Sequence, residues 1–344
     1  MAIALVVIKA VGNQCNLRCS YCYTVPEKRQ TFMTTQVLEQ VIKSIVVLDP
    51  LPIFFWSGGE PLLIGREFFE RVLTFQFNYC GDRRFINSLQ TNGILLDRNW
   101  VNFLKEHNFQ IGISWDGHAS SARVTVDGQN VTEKIWKAIE LCLSEGLNFG
   151  VITVVTQQNV EQLPQIAEIL YSKGIKNLLF KPYIGSVKDL SLNPLSYAKV
   201  MCTLLDLWIE TGDRDWVLEP LYSFLQALSG NLEGIGCGLV NNCGNFLTIE
   251  YDGKITCCDF VTQPFVFGDV YETDLKEISS NLVYKKFIAS VRKRMKKCLI
   301  CSWQHICGGG CLHYRDFNKL SQKWGEYILC DATKEIFNYC KQYF

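Results

Sequence analysis

Three cysteines, Cys15, Cys19 and Cys22, stand within eight residues of the stretch GNQCNLRCSYCYT. Thiolates hold zinc ions and iron–sulfur clusters, which ordinarily take four protein ligands. The spacing C-x3-C-x2-C is one ligand short of a closed site. By the logic that separates catalytic from structural zinc, the missing ligand leaves a coordination position for something else. Closed sets stand further along the chain. Cys237, Cys243 and Cys258 form one group, with Gly253 five positions before the last. Cys298, Cys301, Cys307 and Cys311 form another, and Cys330 follows. These eight cysteines suffice for two four-ligand sites, of iron–sulfur or of structural zinc. Cys257 adjoins Cys258, and neighbours on a strand point to opposite faces, so Cys257 reads as a packing residue. Cys80, Cys142, Cys202 and Cys340 lie apart and read as small hydrophobes.

Composition limits what surrounds this chemistry. The chain has 344 residues, 48% of them hydrophobic and 20% charged, which favours a sizeable core over disorder. Lys+Arg and Asp+Glu balance at 34 each, so nothing points to nucleic acid or a membrane surface. The most basic run, Arg292 to Lys297, reads as a solvated helix face. No apolar stretch approaches the ~20 residues of a membrane helix, and the N-terminus lacks a basic leader. Sixteen cysteines, twelve of them clustered, then read as metal or redox chemistry in a reducing compartment, and a cytoplasmic location is expected.

The positioning elements alternate. ALVVIKAV, IFFWSGG, RFINSLQTNG, QIGISWDG, NFGVITVVT and NLLFKPYI are strand-like, and each of the first five precedes a segment with helical periodicity. Short apolar runs of this kind suit a parallel sheet buried on both faces. Six strands joined by helices predict an α/β fold, a partial (β/α)6 TIM-like barrel over residues 1–190. Function in such sheets sits at strand C-termini, where the cysteine loop, SGGEP, QTNG and SWDG all fall. Residues 191–230 read as a helical connector with helices in SYAKVMCTLLDLWIETG and WVLEPLYSFLQALSG. Residues 231–344 read as a Cys-rich domain. In it FLTIEYDGKITCCDF is a hairpin with an Asp-Gly turn, KCLICSWQHICGGGC is irregular, and a helix runs from about Ala332 to Tyr343.

CNLRCSYC resembles the C-x3-C-x-aromatic-C signature of radical S-adenosylmethionine enzymes, with Tyr21 as the aromatic. The resemblance implies a 4Fe–4S cluster on Cys15, Cys19 and Cys22 whose open iron is chelated by S-adenosylmethionine. It also implies reductive cleavage to a 5′-deoxyadenosyl radical that abstracts hydrogen from the substrate. SGGEP is similar to the family's glycine-rich loop, which implies that Gly58, Gly59 and Glu60 contact the methionyl amino group. QTNG implies roles for Gln90 and Asn92 near cofactor or substrate. ISWDG implies that Ser114 faces the ribose or carboxylate, and Arg123 is the candidate partner of the carboxylate.

The later cysteines resemble the SPASM extension of family members that modify peptides and proteins. It implies two auxiliary 4Fe–4S clusters, three clusters in all. The first would use Cys237, Cys243, Cys258 and Cys311, and the second Cys298, Cys301, Cys307 and Cys330. Fully ligated clusters would relay electrons, take up the electron left by the radical step, or brace the domain. The resemblance implies a maturase of ribosomally made precursor peptides, with a sulfatase maturase forming formylglycine from Cys or Ser as the alternative. A metal-stapled binding module is the non-enzymatic alternative. Asp259, after a cluster ligand, is a candidate base or a hairpin hydrogen-bond acceptor. The expected partners are a peptide or protein substrate and an electron donor of flavodoxin or ferredoxin type. With strand one beginning near Ile3 and one helix after Cys330, a leader-binding partner is expected to be a separate protein.

Overall fold

The computed structural model describes residues 3–24, 32–232, 235–240, 242–261, 265–293, 296–315, 317–318 and 323–344. The Arg292–Lys297 run lies partly outside these. Strands and helices alternate as β1 (Leu5–Ile8), α1 (Thr35–Val46), β2 (Ile53–Trp56), α2 (Arg66–Cys80), β3 (Ile86–Thr91), α3 (Arg98–Glu106), β4 (Gln110–Ser114), α4 (Thr132–Ser144), β5 (Phe149–Val155), α5 (Leu163–Ser172) and β6 (Asn177–Pro182). Then follow α6 (Pro194–Thr211), β7 (Val217–Glu219), α7 (Leu221–Leu228), β8 (Phe246–Ile249), β9 (Lys254–Cys257) and β10 (Val266–Asp269). The chain finishes with α8 (Leu282–Arg292), two one-turn helices, α9 (Lys296–Leu299) and α10 (Gln304–Cys307), and α11 (Cys330–Cys340).

Two compact units arise. The first comprises Met1–Ile113, Val124–Asn148 and Gly244–Ala289, and the second Ser114–Arg123, Phe149–Cys243 and Ser290–Phe344. The β8–β10 segment packs with the first strands.

In the first unit β1, β2, β3 and β4 pair in parallel, with Phe54 opposite Asn87 and Leu89 opposite Ile111. Strand β8 pairs in parallel along the other side of β1, with Ile8 opposite Ile249, and carries the β8–β9 hairpin with it. This covers an edge that β1 would otherwise expose. Gly253 closes the hairpin at φ +89°, which an L side chain rarely adopts. Under the sheet Trp56, Phe68, Phe69, Trp100 and Phe109 meet edge to face at 5.6–6.0 Å between centroids. The polar atoms there are matched. Trp56 Nε1 donates to Asn87 Oδ1 at 2.9 Å, and Asn87 and Gln76 bond reciprocally at 2.8 Å.

In the second unit β5, β6 and β7 pair in parallel. Residues Val217–Glu219 are a strand where helical periodicity predicts a helix. Pro220 lacks the N–H that a helix interior requires, so α7 begins only after it. The loops around Cys298 also hold short helical turns where the glycine content predicts irregular chain.

Strands β3 and β5 alternate buried with half-buried residues rather than burying both faces. The second face stays partly open, and Gln90 lies on it.

One buried ion pair ties down the chain after β4. Arg123 Nε and Nη2 donate to Asp116 at 2.9 and 3.1 Å, and Val154 N donates to Asp116 Oδ1 at 2.9 Å. Removing one partner strands the other charge in the core. Asp116→Ala is expected to cost about 3–5 kcal/mol, read as a fall in the urea midpoint.

Candidate active site

The cysteine loop leaves β1 as consecutive turns: Gly12 N donates to Lys9 O, Gln14 N to Val11 O, and Cys22 N to Cys19 O. Its far side is pinned to the residues before α4 by the Leu17–Thr125 bridge and by Arg18 N donating to Val124 O. Tyr21 is buried beneath it. Cys15 and Cys19 are half-buried and Cys22 is exposed. Leu17 N donates to Cys15 Sγ at 3.4 Å, and Asn92 Nδ2 approaches the same sulfur at 3.6 Å. Burial pushes the Cys15 thiol up to about 11, against the pull of the Leu17 amide and with the neighbouring Glu60, Cys19 and Cys22 adding to the rise. Its thiolate therefore needs a positive centre to balance it, which iron supplies. Three neighbouring sulfurs with two donors aimed at one of them fit a cluster held from one side.

The SGGEP loop is packed against this one. Gly59 N donates to Gly12 O at 2.9 Å and Glu60 N to Gln14 O at 2.8 Å. A Cβ on Gly59 would lie 1.8 Å from Gln14 O, and Gly58 sits at φ +115° over Lys9. These glycines are required by contact between two backbones. Glu60 is fully buried. It accepts from Asn92 N at 2.7 Å, Thr91 Oγ1 at 2.8 Å and Leu62 N at 3.1 Å. Burial lifts its pKa to about 7, and the three donors oppose the rise. Glu60 braces the end of β3 against the glycine loop.

Asn92 is fixed from both ends: Nδ2 donates to Asn16 Oδ1 at 2.7 Å, and Oδ1 accepts from Ile94 N at 3.0 Å. It therefore links QTNG to the cysteine motif. Gln90 lies over Gly112, where a Cβ would come 2.1 Å from Gln90 Oε1. In the second unit, Ser114 ends β4 half-buried. For Arg123 the expected partner is a cofactor carboxylate; the guanidinium instead grips Asp116 of its own chain and is 5% exposed.

The hairpin brings Asp259 to the same rim of the first unit. Tyr23 Oη donates to Asp259 Oδ2 at 2.8 Å, and the Tyr23 ring meets Phe260 at 4.4 Å between centroids. Burial and the adjacent carboxylate raise the Tyr23 pKa well above its ordinary value, so it stays a proton donor. Below lies a pair that spacing does not announce. Lys9 Nζ meets Glu250 Oε1 at 3.1 Å, joining the ends of β1 and β8. A lysine within an apolar strand and a tyrosine directly after Cys22 are the signals that could have found Lys9 and Tyr23.

In the second unit the four cysteines assigned to the second auxiliary cluster do come together. Cys298, Cys301, Cys307 and Cys330 line a cavity of about 30 Å³ with Trp303, Tyr327 and Phe337. The void exceeds the ~10–15 Å³ of one water. Four thiols around one void suit a shared metal centre. Cys237, Cys243 and Cys311 also neighbour one another; burial first, then Cys311 and Cys237, push Cys243 up to about 12. Cys258 belongs to the first unit, half-buried, while Cys257 is fully buried and its sulfur accepts from Phe265 N.

The Radical SAM superfamily model matches residues 10–170, and the SPASM iron–sulfur cluster-binding domain matches 237–302. The chain belongs to the radical S-adenosylmethionine enzymes that carry a SPASM domain, and it has their α/β fold, iron–sulfur clusters and S-adenosylmethionine cofactor. It is 31% identical to a cysteine-type anaerobic sulfatase-maturating enzyme of Clostridium perfringens, over 96% of this chain and 95% of that one. A serine-type enzyme of Bacteroides thetaiotaomicron is 24% identical over 98% of this chain and 89% of its own. The solved structure of native anSMEcpe with bound AdoMet superposes with a TM-score of 0.88 at 28% identity, covering 98% of this chain and 97% of that chain. No helix among the described residues is long and apolar enough to cross a membrane.

Proposed function

We propose that this enzyme oxidises a cysteine side chain of a protein substrate to formylglycine, as a sulfatase maturase. The observation that carries the reading is the Tyr23–Asp259 pair, which sets a carboxylate beside the residue that follows Cys22. Similarity to cysteine-type sulfatase-maturating enzymes along nearly the whole chain supports it. A precursor-peptide maturase shares the architecture, but the likeness to SuiB, at 17% identity and a TM-score of 0.69 with its precursor peptide SuiA bound, concerns the fold alone.

Bound at Cys15, Cys19 and Cys22, the cluster and S-adenosylmethionine supply one-electron chemistry that removes a hydrogen atom from the substrate. Backbone of the Gly58–Gly59 loop, with Tyr21, Gln90, Asn92 and Ser114, would line the cofactor. Asp259 takes the thiol proton as hydrogen-atom and electron loss convert the side chain to a thioaldehyde, water then hydrolyses this to the aldehyde with release of hydrogen sulfide, and Tyr23 holds the carboxylate in place by its hydrogen bond. Cys237, Cys243, Cys258 and Cys311 would hold the first auxiliary cluster. Cys298, Cys301, Cys307 and Cys330 would hold the second, for three clusters in all. An electron-donor protein completes the cycle. None of the sixteen cysteines is in a disulfide, which suits a reducing compartment, and we place the enzyme in the cytoplasm.

Asp259→Asn separates the radical step from the proton transfer. The expected outcome is continued 5′-deoxyadenosine formation with formylglycine down roughly 10²–10⁴-fold, the usual range for a lost general base. Mass spectrometry of a cysteine-containing sulfatase peptide reads both. Undiminished formylglycine in the variant would remove Asp259 from the mechanism.

A further inference from the structure

The second auxiliary site carries a feature that ligation does not need. Between Cys298 and Cys301 stand Leu299 and Ile300, 63% and 90% exposed. A loop that only held a cluster would gain nothing from two adjacent aliphatic side chains in water, and polar residues would serve as well. Lysines are close to them in sequence or at the cavity. Lys296 and Lys297 precede Cys298, with Lys293 on the same approach. Lys297 and Lys334 line the cavity that the four cysteines share. Two acids answer them: Glu326 meets Lys297 at 2.7 Å and Asp331 meets Lys334 at 3.3 Å. Four lysines against two carboxylates leave a cationic excess in the segments that carry the apolar tip and line the cavity. Cys298 and Cys301 on either side of that tip are only half-buried.

We propose that Leu299 and Ile300, with Lys293, Lys296, Lys297 and Lys334, form the docking surface for a small acidic one-electron carrier protein. The inference rests on the family reading of the Cys298, Cys301, Cys307 and Cys330 set as a cluster site. The charge pattern selects the partner. Opposite charge steers the encounter, and the apolar tip supplies short-lived desolvated contact, as transient redox pairs require. The carrier would give up one electron to a cluster held by Cys298, Cys301, Cys307 and Cys330, with no bond formed or broken.

The test uses anaerobically purified holoenzyme and a flavodoxin as the probe. Calorimetric titration should show binding that weakens with salt. Ile300→Asp should weaken it at least tenfold, and Lys293→Glu with Lys296→Glu should do the same, at unchanged iron content. The ratio of flavodoxin-driven to dithionite-driven 5′-deoxyadenosine formation should fall in step. Wild-type affinity in both variants would overturn the docking surface, as would failure of the wild type to bind flavodoxin. A concentration-dependent dimer abolished by Ile300→Asp would also overturn it, by assigning the tip to self-association. Absence of dithionite-driven cleavage in the wild type would instead sink the family reading itself.

Discussion

Cys19→Ala is expected to abolish reductive cleavage of S-adenosylmethionine. The loop offers three thiols, and the chain supplies no fourth cysteine beside them in sequence. Outer-shell changes at metal sites cost about 10–100-fold, and deleting a ligand from a set already one short exceeds that. Cys15 shows why the set is intolerant. Burial pushes its thiol up to about 11, so this sulfur depends on the shared site to be held as a thiolate. The variant should retain the auxiliary clusters, since their cysteines lie elsewhere. Iron analysis should then show a loss of about one third from three equal clusters, with no 5′-deoxyadenosine by chromatography. Cleavage persisting at a tenth of the wild-type rate would contradict the ligand assignment.

Gly59→Ala is expected to be nearly as severe, through packing rather than chemistry. The new methyl would lie 1.8 Å from Gln14 O and 2.5 Å from Gln14 C. Both are backbone atoms of the loop that carries Cys15, and no rotamer relieves the clash. Overpacking usually costs about 1–3 kcal/mol, and a backbone obstacle belongs at or beyond the upper end. The bonds from Gly59 N to Gly12 O and from Glu60 N to Gln14 O would stretch together. Stability, iron loading and S-adenosylmethionine affinity should therefore fall as one. Gly65→Ala is the matched control. Gly65 also has positive φ, +89°, but nothing lies within 4 Å of its added Cβ. It should cost only backbone strain, about 1–3 kcal/mol, with the cofactor sites intact. Denaturation midpoints and iron content of the two variants decide the matter.

Spacing carried much of this account. Cys15, Cys19 and Cys22 announce an incomplete ligand set because metal chemistry depends on ligand type and interval, both of which a sequence prints. The strand–helix alternation was legible for the same reason, since burial imposes a period. The Asp-Gly turn before Cys257 was legible because few residues tolerate positive φ. What escaped depends on which groups face each other. Glu60 stands in a motif and yet is a buried brace, because Thr91 and the amides of Leu62 and Asn92 converge on it from separate segments. Arg123 finds Asp116 before it finds any ligand. Strand β8 runs beside β1 across more than 230 residues, and no local pattern encodes that pairing. Val217–Glu219 went against its helical pattern because Pro220 set the boundary.

The most direct measurement counts two products in one vessel. Anaerobically reconstituted enzyme is incubated with S-adenosylmethionine, dithionite and a peptide bearing a sulfatase cysteine. 5′-Deoxyadenosine and formylglycine are then quantified by mass spectrometry. The account predicts that both accumulate in equal amounts and that neither forms without the other in the coupled reaction. 5′-Deoxyadenosine accompanied by an unmodified cysteine, or by a crosslinked peptide, would contradict it.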